Sequence, residues 1–150
     1  MFSLKYLIRT YLMPPIVKIL GYAGLLPFIS LAFVSILLTN NTWVIDALAL
    51  YAFGIFTFLC GAWWPTADMQ DAKFWPIVLS NVLFLIGFFI FLLLPHQWLA
   101  IGAGLFIFIW AVERFSGLIP EASLAYKKMR TVLSVVASVC MMITYITGAV

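Results

Sequence analysis

The sequence predicts an all-α, polytopic integral membrane protein: a five-transmembrane-helix bundle with its N-terminus inside and its C-terminus outside. Three observations carry that expectation. Of the 150 residues, 66% are hydrophobic and 9% charged, with a mean hydropathy of +1.18, whereas ordinary soluble domains are about 45–50% apolar and about 25% charged. The apolar residues come in blocks of roughly 20, the number needed to cross about 30 Å of hydrocarbon at about 1.5 Å per residue. The blocks are continuous, without the alternation of a barrel strand, and a helix satisfies its own backbone hydrogen bonds in lipid.

Residues 1–16 are assigned to an N-terminal interfacial segment. Lys5 and Arg9 interrupt its apolar residues, and it has no small-x-small cleavage site, so it does not read as a signal peptide. Residues 17–150 form a single transmembrane domain. Its spans are expected at 17–38, 44–64, 75–94, 97–115 and 131–150. Pro27 is expected to kink the first span. The run "VLFLIGFFIFLLL" in the third is apolar all round, as suits a helix facing lipid or a partner's oily flank. Small residues that let backbones approach lie at Gly21 and Gly24 in the first span, Ala100 and Gly104 in the fourth, and Ser134 and Ser138 in the fifth.

Charge sets the expected orientation. All 8 Lys and Arg residues precede or open the first span (Lys5, Arg9 and Lys18), lie in the connection 65–74, or flank the fourth and fifth spans between Arg114 and Arg130. With the N-terminus inside, every one falls on the cytoplasmic side. Facing anionic headgroups there, these residues account for the net charge of +3. Nucleic acid is not an expected partner, because no groove-fitting basic module accompanies them. The 6 tryptophans fall near the expected interfaces, where the indole ring is half buried and its N–H stays wet.

Little in the sequence points to catalysis. No charged residue or histidine falls near the middle of a span, where proton relays and ion paths are marked. Asp68 and Asp71 in the connection 65–74 have no further carboxylate nearby to complete a metal site, and the single His96 cannot form a bis-histidine haem site. Cys60 and Cys140 are expected at different depths and unbonded. With no nucleophile–base couple to assemble, no enzyme activity and no cofactor are expected. Asp46 is placed at the outer start of the second span, where a carboxylate suits the helix dipole.

The segment from Val112 to Ser134 carries the chemistry that remains. Glu113 and Arg114 end the fourth span, and Tyr126 and Arg130, four apart on one helical face, open the fifth. Arg130 is expected to reach Glu113 across the hairpin, and Glu113, Arg114, Tyr126 and Arg130 are the candidate contacts to a headgroup or a partner protein.

Three stretches together resemble the transmembrane protein 69 family, which includes mitochondrial members and small bacterial membrane proteins: "LGYAGLLPF" from Leu20, "YAFGIFTFLCGAWW" from Tyr51, and Pro120 with "AYKKMRTVLS" from Ala125. The chain differs from the family pattern at Trp63, Pro65 and Ala125. The resemblance implies five helices and an energy-transducing membrane, the bacterial inner membrane or, in a eukaryote, the mitochondrial inner membrane. It implies no particular activity. The expected function is a non-catalytic accessory or assembly subunit of a larger membrane complex, embedded in the lipid bilayer. The alternative is a module that binds or transports a small amphiphile, such as a quinone or lipid, with Glu113, Tyr126 and Arg130 near its polar end.

Overall fold

A computed structural model of the chain describes residues 15–38, 41–64, 74–118 and 124–148. All regular structure among them is helical: α1 (Pro15–Ala23), α2 (Leu26–Leu37), α3 (Thr42–Gly61), α4 (Trp75–Leu93), α5 (Pro95–Phe115) and α6 (Leu124–Gly148). Taking α1 and α2 together as one stretch from Pro15 to Leu37, five helices are long and apolar enough to cross a membrane. The N-terminal segment 1–14, and Asp68, Asp71, Lys73, Pro120 and Glu121, lie outside the described residues.

The first span is broken as well as kinked. Pro27 sits in the first turn of α2; it has no N–H to offer, and its ring would clash with the carbonyl four residues earlier. The chain turns at Gly24 and Leu25, where the Gly24 N–H donates to the Leu20 and Gly21 carbonyls at 3.1 and 3.2 Å. The Tyr51 hydroxyl, from α3, donates to the Gly24 carbonyl at 2.9 Å. The break therefore has a side-chain partner in the neighbouring helix.

The remaining boundaries shift by up to three residues from expectation, except at the last helix. It begins at Leu124, seven residues before the expected Thr131. Hydropathy marks where a chain is apolar, whereas the polar stretch from Tyr126 to Arg130 packs through Met129 against Gly21 and pairs through Arg130 with Glu113. Asp46 also moves: it is exposed and falls beyond the first turn of α3, which carries no acidic residue. After α5, Gly117 adopts the left-handed conformation (φ 69°) that ends a helix without steric cost.

Helix α6 is the hub, packing most extensively against α5 and also against α1, α2 and α3, while α4 packs against α3 and α5 at the edge. No residue of α1 is buried, whereas helices α2 to α6 each turn one stripe inward. On α3 it is Leu48, Ala52, Phe56 and Leu59; on α4 it is Pro76, Ser80, Leu83 and Gly87. These steps of three and four residues are the helical period. The outer face of α4 carries exposed Leu85, Phe89 and Leu93. Between the helices, Phe28 meets Phe106 and Tyr51 edge-on, and Phe56 meets Trp98 at 5.6 Å. Hydroxyls tie the far end, where Ser35 on α2 lies 3.2 Å from both Thr144 and Thr147 on α6.

The small residues divide by face. Ser138 donates to the Ala103 carbonyl at 3.0 Å, joining α6 to α5, and Gly21 leaves room for the Met129 sulfur, which a Cβ there would meet at 2.7 Å. Ala100 is half-buried. Gly104 is exposed with open space beyond it; the close approach on α5 is at Gly102, where a Cβ would meet the Met141 methyl at 2.8 Å. A Cβ on Gly87 would run into the ring of Phe56.

That last approach predicts a contrast. Gly87→Leu should lower the melting temperature in detergent by the equivalent of about 1–3 kcal/mol, because Phe56 is held by Trp98 and Phe106 and cannot swing aside. Gly104→Leu should change it by less than about 0.5 kcal/mol.

Candidate functional site

Two helix ends meet at the site. Glu113 lies in the last turn of α5 and Arg130 in the second turn of α6, on the segments leading into and out of one connection. The Arg130 Nε donates to Glu113 Oε2 at 2.7 Å and its Nη2 to Oε1 at 2.7 Å, a two-pronged pair. The side chains are 12% and 7% exposed. A third helix contributes Trp63, just past the end of α3, whose indole N–H donates to Glu113 Oε1 at 2.9 Å. The carboxylate thus accepts three bonds, as a shielded charge requires.

Trp63 was expected as an interfacial anchor, but it is 1% exposed. Trp98 is likewise buried, donating to the Ala49 carbonyl at 3.0 Å, and Trp110 donates to Thr131 at 2.9 Å. In these three the indole N–H is satisfied by protein. Trp43, Trp64 and Trp75 have exposed rings. Arg114, beside Glu113, points away and is exposed. Tyr126 is half-buried on the same side of α6 as Arg130.

Beneath the ion pair lies a cavity of about 430 Å³, within the range of about 300–1,000 Å³ typical of small-molecule sites. Its walls come from α1, α2, α3, α5 and α6. Glu113, Arg130, Tyr126 and Trp63 form its polar end, while Phe28 and Phe106 lie on its apolar wall. The helix α1 packs on α6 but not closely on α3, so the cavity opens through a gap between α1 and α3, where lining residues Leu20 and Phe58 are 64% and 71% exposed. The opening is therefore apolar, suited to a hydrocarbon chain.

Ser134 lies on the cavity wall one turn beyond Arg130. Helical hydroxyls in apolar surroundings usually bond back to a carbonyl three or four residues earlier, as Ser35, Ser80 and Thr131 do. Ser134 does not. Its oxygen is the buried side-chain polar atom without a partner among the described residues.

Of the residues singled out in sequence, Glu113, Tyr126, Arg130, Gly21, Gly24 and Ser134 gather at this cavity, while Arg114, Pro27, Ala100, Gly104 and Ser138 lie off it. Trp63 and Met129 complete the site without having been singled out for it. Trp63 is given away by its place beside Trp64 at a helix end, but nothing in the sequence marks which indole turns inward. Cys60 and Cys140 are buried and free. Among the described residues, no three His, Cys, Asp or Glu side chains come together as a metal site.

The fold and site define a class: a helical bundle with membrane-length helices, enclosing an apolar cavity with one charge-paired polar end. The chain belongs to the family described as protein of unknown function, DUF3429, whose pattern matches residues 13–146. No curated protein and no solved structure matches it.

The pairing sets a mutational test. Glu113→Ala leaves the Arg130 cation without its counter-ion and should cost about 3–5 kcal/mol of stability. Adding Arg130→Ala should recover a large part of that loss. Melting temperatures of the single and double variants measure the coupling, and additive losses would exclude it.

Proposed function

We propose that the chain is a non-enzymatic membrane module that holds a small amphiphile between its helices. The observation that carries this reading is the cavity: about 430 Å³, apolar along its walls, open between exposed Leu20 and Phe58, and closed at one end by Glu113, Arg130, Trp63 and Tyr126. An amphiphile has the same division, an oily chain and a polar head. We place this module in an inner membrane of bacterial or mitochondrial type, as a transmembrane protein 69-like protein with its N-terminus and the Arg130 end on the cytoplasmic or matrix face. The one-sided distribution of Lys and Arg supports that orientation.

A second reading, as an accessory or assembly subunit of a larger membrane complex, is supported by α4, whose broad outer face is apolar and exposed. The two readings are compatible, because the cavity and the outer face of α4 lie on different parts of the bundle.

Native mass spectrometry of protein extracted in mild detergent tests the cavity reading. The wild-type chain should retain a bound lipid-like molecule. Ala62→Trp, at the exposed rim of the cavity, should release it without lowering the melting temperature of the empty protein. Retention equal to that of wild type in Ala62→Trp would place the molecule elsewhere and overturn the reading.

A further inference from the structure

Resting on the cavity reading, we propose a specific ligand class: a quinone-type amphiphile, with an uncharged planar head bearing carbonyls and an apolar tail, seated between Arg130 and Ser134. Three features of the cavity select it.

The first is charge. Arg130 is held by both oxygens of Glu113, so the polar end carries no net charge to attract a phosphate headgroup. The second is the pattern of donors. The Nη1 group of Arg130 bonds no described residue, and the Ser134 hydroxyl has no partner at all among the described residues. Both residues line the cavity, and their backbone positions stand one turn apart on the same face of α6, about 6 Å along the axis. A ring with carbonyl oxygens on opposite edges presents an acceptor to each. The third is shape: the head would lie among the rings of Trp63, Tyr126, Phe28 and Phe106, whose faces and edges favour a flat partner. The tail would leave through the gap between α1 and α3, past Leu20 and Phe58.

The Ser134 hydroxyl makes the proposal testable, because a hydroxyl buried without a partner does not stabilise the empty protein and carries an unoffset desolvation cost. The full chain would be placed in nanodiscs of zwitterionic phosphatidylcholine and titrated with a decyl-substituted benzoquinone, with diacylglycerol, and with phosphatidylglycerol. Tryptophan fluorescence and melting temperature would be read in each titration. The quinone should quench fluorescence saturably and raise the melting temperature. Ser134→Ala should weaken quinone binding about three- to tenfold, the worth of one hydrogen bond, while leaving the melting temperature of the empty protein unchanged or higher.

Equal quinone affinity in wild type and Ser134→Ala would overturn the seating at Ser134. So would a lower melting temperature of the empty variant, which would mean that the hydroxyl already has a structural partner. A response to diacylglycerol or phosphatidylglycerol but not to the quinone would overturn the ligand class and leave the cavity reading standing. No response to any of the three would bring down both.

Discussion

Two opposite charges, held 2.7 Å apart at the joined ends of α5 and α6, organise the polar end of this molecule. Neither could sit so well shielded alone, since a buried, unpaired charge is far more costly than any single contact nearby can offset. The pair therefore ties the start of α6 to the end of α5, and its third bond, from Trp63, brings in the end of α3. The first turns of α6 also seat α1, through Met129 against Gly21, while α2 is tied to the far end of α6 through Ser35, Thr144 and Thr147. The same pairing leaves the polar end of the cavity lined by donors and acceptors yet without net charge.

The cavity itself follows from Pro27. A continuous first helix would run straight alongside α6, but the missing N–H and the steric demand of the proline ring separate α1 from α2 at Gly24 and Leu25. The second half packs on α3 and α6, whereas the first half packs chiefly on α6. Space is left between α1 and α3. Met129, seated against Gly21, keeps α1 from drifting further, and Tyr51 binds the carbonyl at the break. A bend that would be a defect in a simple bundle becomes the wall and mouth of a pocket.

The five long apolar helices were legible because hydropathy reports the length of an apolar run directly, and the contact between Glu113 and Arg130 was legible because few charges exist to choose among. Facing was not. In a soluble protein polarity tells the inner side of a helix from the outer, but lipid and protein interior are almost equally apolar, so packing is decided by size and shape. Gly87 and Gly104 look alike in sequence, yet one meets Phe56 and the other open space. For the same reason Trp63 and Trp64, adjacent in the chain, take opposite fates, one sealed against Glu113 and the other exposed. The early start of α6 was hidden because its first turns are polar, and hydropathy does not register their contacts with Gly21 and Glu113.

Any apolar cavity open to a bilayer competes with an abundant ligand, the lipid tail itself, and that competition limits where selectivity can arise. The walls near Phe28 and Phe106 gain about as much from one hydrocarbon chain as from another, so they supply occupancy without choice. Discrimination has to come from groups whose needs an acyl chain leaves unmet, because a site with buried polar groups disfavours any occupant that cannot pair them. Ser134, without a partner among the described residues beneath the ion pair, is such a group, and the Nη1 edge of Arg130, which bonds no described residue, is another. On the proposed reading, their alignment on one face of α6 would place selectivity at the boundary between the paired charges and the oily walls.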